Sequence, residues 1–390
     1  MPSLNEPVPP AQRLAVLHLT GARADDGGIF SVIRALQEAT VDTVRHQVWV
    51  HSGFRQIRKP ALVTIGNPHA IDESPSHLRL LIGALRSWPG LRRLLESESE
   101  TVVHAHTRGA LPLAVWLSRH RPVLFTQHAY ARRTGLYRAA VRLPGMRTVL
   151  LTPNMARHYG IAESPGRVEI LSACYGDHWR AFPLPASRPS LTGRRFRLVG
   201  VGNLVRWKRW DVLVDAIAAL PATVREKLDC EIWGPTPPDA DARAFEAELR
   251  DQLQRNALEP CLRFSGPTSS PMEVLKTADA FVLPSTHEPC SVALMEALAC
   301  GLPVIASRSG GNIDIVRDGS TGLLFEPGNV SDLSAKITAL IEGSVSLACP
   351  VAIRESVVDR SATVVGAAYL RLYQERAASR RKALRTSAAG

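Results

Sequence analysis

Two glutamates eight residues apart, Glu288 and Glu296, stand at the start of a segment that otherwise carries almost no charge. From Pro289 to Ser307 the chain runs 19 residues with a single charge, that of Glu296. A carboxylate set among Val292, Ala293, Leu294, Met295, Ala297 and Leu298 is costly to bury unpaired, so it is expected to face a cleft where something hydrogen-bonds it. Helical periodicity begins near Ser291, which leaves Glu288 in the preceding loop and Glu296 about 1.5 turns inside the helix. The turn Pro289-Cys290-Ser291-Val292 opens that helix, and its backbone N–H groups with the positive end of the helix dipole favour a phosphate. Glu296 on the cleft side can accept from a ribose hydroxyl, so the site is nucleotide-shaped. The competing reading leaves Glu288 a solvated loop residue and pairs Glu296 with a basic side chain in the core.

Three further motifs have chemical content. Val-Gly-Val-Gly-Asn-Leu-Val-Arg-Trp-Lys-Arg-Trp-Asp (199–211) places a strand ending at Gly202 and Asn203 before a basic loop with Arg206, Lys208 and Arg209. Such a loop ahead of a helix can clamp a diphosphate, and Lys208 is the leading candidate; taken alone, the loop reads first as a solvated basic one. Asp25-Asp26-Gly27-Gly28 follows the first apolar run and leads into a helix, where Gly27 and Gly28 let a backbone approach a ligand closely or simply form a strand-to-helix turn. His104 and His106 share one face of a strand, a spacing that can chelate metal, but no third ligand is evident in the sequence and packing or acceptor contact is expected. His128 follows another strand in Phe-Thr-Gln-His-Ala-Tyr, as a site histidine or a hydrogen-bonded loop residue.

The stretch 284–326 resembles the signature of the family 4 retaining glycosyltransferases. The resemblance rests on the Glu288 and Glu296 pair, Ala-Leu-Ala-Cys-Gly-Leu-Pro-Val-Ile-Ala (297–306), Gly310-Gly311 and Gly-Leu-Leu-Phe-Glu-Pro-Gly (322–328). It implies an α/β chain of the GT-B fold, two Rossmann-like doubly wound domains facing an interdomain cleft. It also implies a catalytic set of Lys208, Glu288, His128 and Arg206, with Gly27, Gly28, Gly202, Asn203, Arg209, Pro289, Cys290, Ser291, Val292 and Glu296 binding the donor. The donor would be a nucleotide diphosphate sugar, with no further cofactor and no metal. Departures from the family pattern are Asp314 where a glutamate is usual, Asn203 in place of an arginine, Arg209 in place of a glycine, and Leu-Ser-Ala-Cys-Tyr-Gly (171–176) in place of an Asn-Gly-Val-Asp turn. Either Arg206 or Arg209 is expected to replace the arginine missing at Asn203.

The elements that must hold these residues alternate between strand-like and helix-like along the chain. Apolar runs at 14–19, 48–50, 102–106, 123–126 and 148–152 are separated by helix-length stretches, the rhythm of a parallel sheet. A proline-rich stretch at 183–195 breaks it, and it restarts at Phe196 with runs at 196–201, 230–233, 262–264, 280–283, 304–306 and 323–325. The expected domains are residues 1–185 for the acceptor, 186–360 for the nucleotide sugar, and 361–390 as a closing helix on the first domain with a basic tail. At 390 residues the chain is long for one core, and 45% apolar content is ample for burial.

The six cysteines are widely spaced and read as reduced thiols. No apolar run is long enough to span a membrane, and residues 1–13 lack a signal pattern, so a cytoplasmic protein is expected. The net charge of +11 gathers partly at Arg132, Arg133, Arg138, Arg142 and Arg147 and in the tail from Arg376. Arginines interleaved with Leu136 and Tyr137 suit an anionic membrane at its inner face, or a glycan or lipid-linked acceptor, with nucleic acid not expected as a partner; a solvated arginine-rich surface is the plain alternative. Two functions compete: a retaining hexosyltransferase acting in cell-surface polysaccharide, lipopolysaccharide or glycoconjugate biosynthesis, and a non-catalytic protein of the same fold that binds a polyanionic glycan or membrane surface.

Overall fold

The computed structural model describes residues 13–25, 27–56, 61–69, 71, 76–184 and 191–388. Residues 1–12 and 185–190, on which the expected 185/186 boundary falls, lie outside the described residues. Contacts divide the chain into two units: the first runs to Gly176 and resumes at Ser361, and the second runs from Asp177 to Arg360.

In the first unit seven strands pair in parallel: β1 (Leu14–Leu19), β2 (Val44–His51), β3 (Thr64–Asn67), β4 (Val102–Ala105), β5 (Val123–Gln127), β6 (Met146–Leu150) and β7 (Val168–Ile170). Between them run α1 (Gly28–Ala39), α2 (His77–Ser97), α3 (Leu111–Leu117), α4 (Gly135–Ala140) and α5 (Pro153–Tyr159). The spatial order is β3-β2-β1-β4-β5-β6-β7. Every residue of β4, β5 and β6 is buried, as expected for inner strands of a parallel sheet covered on both faces.

The second unit repeats the plan with β8 (Phe196–Val201), β9 (Leu228–Trp233), β10 (Leu262–Gly266), β11 (Ala280–Leu283), β12 (Val304–Ser307) and β13 (Gly322–Phe325), in the order β10-β9-β8-β11-β12-β13. Its helices are α6 (Trp210–Ala218), α7 (Ala222–Arg225), α8 (Ala240–Arg255), α9 (Pro271–Lys276), α10 (Val292–Ala299), α11 (Val330–Ile341) and α12 (Pro350–Glu355). The apolar face of α6, with Trp210, Leu213 and Ile217, packs with Phe325 of β13 and Leu333 and Ile337 of α11 into one core. Both sheets are doubly wound, and each reverses its strand order once, between β1 and β4 and between β8 and β11. Ligands of such sheets bind beyond the carboxyl ends of the strands at the reversal.

The last helix, α13 (Ala362–Ala388), belongs to the first unit. It packs along α1 and across β1, β4 and β5, burying Tyr369 and Tyr373 completely. Gly366 permits the close approach to α1, since a Cβ there would lie 2.6 Å from that of Ala39. No described helix is long and apolar enough to cross a membrane, and no disulfide joins the cysteines.

Candidate functional site

At the strand reversal of the second unit, the loops after β8 and β11 bring together the cation and the carboxylate singled out in the sequence. Lys208 Nζ donates to Glu288 Oε2 at 2.8 Å, and the two residues are 8% and 7% exposed. The lysine stem passes close over Gly202, where a Cβ would meet its Cε at 3.2 Å. Its ammonium also sits 4.4 Å from the centre of the Trp207 ring, a cation–π contact. The Thr286 N–H donates to the Trp207 carbonyl at 2.9 Å and ties the two loops together. Asn203, where the family pattern has an arginine, contributes its carbonyl to the Trp210 indole N–H at 3.1 Å.

Glu288 is fixed from behind by the paired glycines. Gly310 adopts φ +58°, and a Cβ there would fall 2.3 Å from the Glu288 carbonyl oxygen. That same oxygen accepts the Gly311 N–H at 2.7 Å. His287, just before the glutamate, also takes a left-handed backbone at φ +60°, a conformation uncommon outside glycine and frequent at functional turns.

Pro289 and the buried Cys290 lead into α10, which Ser291 caps by accepting the Leu294 N–H at 3.2 Å. The cap leaves the N–H groups of Val292 and Ala293 at the helix start without an intrahelical acceptor. Glu296 is half-buried on the same helix. Burial, with Glu296 nearby, pushes the Cys300 thiol up to about 12, so that thiol stays protonated.

The two candidate arginines part company. Arg206, expected beside Lys208 as a catalytic cation, instead engages α8: it makes a bidentate pair with Glu248 at 2.7 and 2.8 Å, donates to Asp241 at 2.9 Å, and lies over the Phe245 ring. Two carboxylates seven residues apart share one helix face and outcompete a looser position in the loop. Arg209 has a left-handed backbone at φ +56° and pairs with Asp211 at 3.0 Å. Its guanidinium approaches the turn after β13, since a Cβ on Gly328 would lie 3.9 Å from it.

In the first unit, Gly27 caps α1 with φ +124°, a conformation that favours glycine, and Gly28 begins the helix; Asp26 lies outside the described residues. Buried Asp25 is paired with Arg34 of α1 at 2.5 Å.

His128, half-buried just beyond β5, belongs to a row of histidines. Its Nε2 is 3.1 Å from His106 Nδ1; His106 Nε2 is 2.8 Å from His18 Nδ1; His18 Nε2 is 2.8 Å from His46 Nδ1; and His46 Nε2 is 2.8 Å from Thr40 Oγ1. His104 lies tilted against His106, with ring centres 3.9 Å apart, and bonds to Tyr373 and Thr126. Burial lowers every one of these histidines, His46 to about 4, and for His18, His104 and His106 the neighbouring histidines add to the effect.

The ligand atoms of His18, His104 and His106 lie within 4.8 Å of one another, so the third ligand that the His104–His106 spacing lacked is present in space. Both nitrogens of all three rings are already hydrogen-bonded, and a metal would have to break those bonds. His18 and His46 escaped sequence reasoning because they lie on separate strands, β1 and β2, and only the topology brings them to His104 and His106.

The arginine cluster at 132–147 is only in part a surface. Arg147 lies in β6, 5% exposed, in ion pairs with Glu169 and Glu375, because an inner strand points it into the unit; Tyr137 is buried as well. Arg132, Arg133, Arg138, Arg142 and Leu136 remain exposed. A second surface was missed: α2 buries Leu80, Ala84, Leu91 and Leu95 and turns Leu78, Leu81, Ile82 and Leu85 outward, with Arg79 and Arg86 beside them. Spacing at i, i+3, i+4 and i+7 makes this an apolar stripe on the outer face.

Residues 188–350 match the family model described as Glycosyl transferases group 1. Glycogen synthase of Mycobacterium tuberculosis is 29% identical over 296 residues, which are 72% of this chain and 66% of that protein. D-inositol 3-phosphate glycosyltransferase of an Arthrobacter species is 31% identical over 162 residues, 40% of this chain and 38% of that protein. The chain thus spans no more than about two thirds of these relatives. Among solved structures, sucrose-phosphate synthase from Thermosynechococcus elongatus superposes with a TM-score of 0.75 at 17% identity, covering 93% of this chain and 99% of that one. Anabaena Alr3699/HepE in complex with UDP gives 0.72 at 17% identity, covering 93% and 100%. At these identities the likeness is one of fold, the GT-B type.

Proposed function

Because its second unit carries a glycosyl transferases group 1 domain, we propose that the chain is a retaining glycosyltransferase of the family 4 kind. It would move a sugar from a nucleotide diphosphate sugar to a hydroxyl of a glycan or lipid-linked acceptor, in the assembly of a cell-surface glycan. The observation that carries this reading is the near-buried Lys208–Glu288 pair at the β8/β11 reversal, with the start of α10 following directly on Glu288.

In this reading the diphosphate lies at the N–H groups of Val292 and Ala293, and Lys208 meets the charge that grows on the leaving phosphate. One such preorganised donor is worth about 3–4 kcal/mol of barrier. Arg209 is the second cation, since Arg206 is engaged by α8. Glu296 accepts from the ribose and Glu288 holds sugar hydroxyls. Gly202 and Asn203 border the donor in the second unit, and Gly27, Gly28 and His128 are the first unit's candidate ligand-binding residues.

Held against an ammonium, Glu288 is a poor nucleophile, which favours attack from the leaving-group face. The acceptor oxygen bonds to the anomeric carbon as the bond to the phosphate oxygen breaks, and that phosphate oxygen takes the hydroxyl proton. Uridine diphosphate is the first nucleotide to test, because Anabaena Alr3699/HepE is described with it.

The outer stripe of α2, with its arginines, supports a peripheral contact with anionic lipid better than the 132–147 segment does. Calorimetric titration with a panel of nucleoside diphosphates tests the main reading. Binding of one of them, lost in Lys208→Ala and Glu296→Ala, supports it. No binding at millimolar concentration by folded protein leaves the non-catalytic glycan- or membrane-binding reading.

A further inference from the structure

The row of histidines in the first unit has a direction, and one hydroxyl sets it. Thr40 is the C-terminal cap of α1, and its Oγ1 lies 2.7 Å from the carbonyl oxygen of Leu36, one helical turn back. A carbonyl can only accept, so the Thr40 hydroxyl hydrogen points at Leu36, a back-bond common for threonine in helices. Thr40 Oγ1 must then accept from His46, which places a hydrogen on His46 Nε2.

A neutral imidazole carries one hydrogen, so His46 Nδ1 accepts from His18 Nε2–H, His18 Nδ1 accepts from His106 Nε2–H, and His106 Nδ1 accepts from His128 Nε2–H. This direction requires every ring to be neutral. Burial favours that, the charged groups acting on these rings are other histidines, and the phenol of Tyr373 packs edge-on to His18 and His46 without ionising, its own titration pushed up by burial.

We infer that Thr40, His46, His18 and His106 are positioning residues that lock His128 as its Nε2–H tautomer, so that His128 Nδ1 presents a bare lone pair and takes a ligand hydroxyl as donor. Among the described residues nothing is bonded to that nitrogen, and His128 is the half-buried end of an otherwise buried row. The polarity discriminates between ligand groups. A sugar hydroxyl donates to Nδ1, whereas a phosphate or carbonyl oxygen meets lone pair against lone pair. Reversing the chain would turn His128 into a donor and invert the preference. Only the identity of the hydroxyl, as one of a donor sugar or its acceptor, rests on the transferase reading.

Long-range proton–nitrogen NMR on the full chain with 15N-labelled histidine reads each tautomer directly, with His128→Gln and His46→Gln used for assignment. At neutral pH the expected spectrum has His46, His18, His106 and His128 all protonated at Nε2 alone. Thr40→Val removes the acceptor at the head of the row, and His128 should then show Nδ1–H in a substantial fraction of molecules. Thr40→Ser keeps the hydroxyl and should restore the wild-type pattern.

His128 protonated at Nδ1 in the wild type, or unchanged by Thr40→Val in a folded protein, overturns the inference. Should Thr40→Val not fold, the wild-type spectrum still decides. Failure of the transferase reading would appear separately, as absent nucleoside diphosphate binding with the tautomers as described.

Discussion

Lys208 and Glu288 lie 80 residues apart in sequence and 2.8 Å apart in space, and the contact joins the two loops that flank the strand reversal of the second sheet. A near-buried ion pair adds little net stability, yet removing one partner strands the other charge at a cost of about 3–5 kcal/mol. That asymmetry separates structure from chemistry. Lys208→Ala is expected to lower Tm and to reduce turnover by about 10²–10³-fold. The double variant Lys208→Met/Glu288→Gln should recover most of the lost Tm without recovering turnover. Calorimetric melts beside a donor-hydrolysis or transfer assay check both, and recovery of turnover in the double variant would assign the pair a purely structural role.

On the proposed function, a bound diphosphate would compete with Glu288 for the lysine. Glu288→Gln removes the competitor, so free nucleoside diphosphate should bind several-fold tighter, about 1 kcal/mol, while transfer from the sugar-bearing donor falls because its hydroxyls lose a charged acceptor. Titration calorimetry on the variant measures the first effect. Weaker diphosphate binding would mean that Glu288 orients Lys208 rather than competing for it.

Gly310 and Gly319 separate backbone strain from steric clash, since both have left-handed backbones, φ +58° and +74°. A Cβ at Gly310 strikes the Glu288 carbonyl at 2.3 Å, whereas at Gly319 it meets open space. Gly319→Ala should cost about 1–2 kcal/mol from conformation alone and leave turnover intact. Gly310→Ala should cost more and abolish turnover by displacing Glu288. Equal melting temperatures and activities for the two would show that the loop yields without moving the glutamate.

The stripe on α2 predicts binding to vesicles of anionic phosphatidylglycerol that weakens with salt and is absent on neutral phosphatidylcholine. Leu81→Asp with Leu85→Asp should reduce it by 10-fold or more, because both exposed side chains would lose apolar burial in the lipid and add charge of the wrong sign. Co-sedimentation measures this, and an equal loss in Arg132→Glu/Arg133→Glu alone would move the contact to the α4 region.

The strand rhythm was legible because inner parallel strands are continuous apolar runs; Leu14–Leu19, Phe196–Val201 and Ala280–Leu283 have the bounds read from the sequence. The edge strands β3 and β7 were not. Thr64–Asn67 reads as polar with a glycine, and Val168–Ile170 is three residues long. In the site, spacing pointed to Lys208 and Glu288 separately, and only the fold brings them into contact. For Arg206 and Arg147 a sequence shows a positive charge but not the carboxylates that pair with it, Glu248 and Asp241 on α8 for one, Glu169 and Glu375 for the other. The histidine row drew on β1, β2, β4 and the ends of β4 and β5, elements whose neighbourhood is a matter of topology rather than spacing.

That row also sets how the protein responds to acid. His18, His46, His104, His106 and His128 are all lowered by burial in the folded state, so the unfolded chain, with histidines near 6.5, binds more protons below that pH. Their contribution is fully present above about pH 7. It is lost as pH falls through 6.5, and the loss continues down toward the folded values, about 4 for His46. Each histidine adds a slope of about 1.4 kcal/mol per pH unit once the unfolded form is protonated. Five acting together would consume a typical domain stability of about 5–15 kcal/mol within roughly one to three pH units. Acid unfolding of the first unit is therefore expected near pH 5, above the carboxylate range, with uptake of several protons. His46→Gln should remove about one proton from that uptake and shift the midpoint to lower pH if it folds normally. Unfolding followed by fluorescence in unbuffered solution, with proton uptake read at the electrode, measures both; a midpoint below pH 4 with proton uptake by the still-folded first unit between pH 7 and 5 would mean that the row titrates normally in the folded protein.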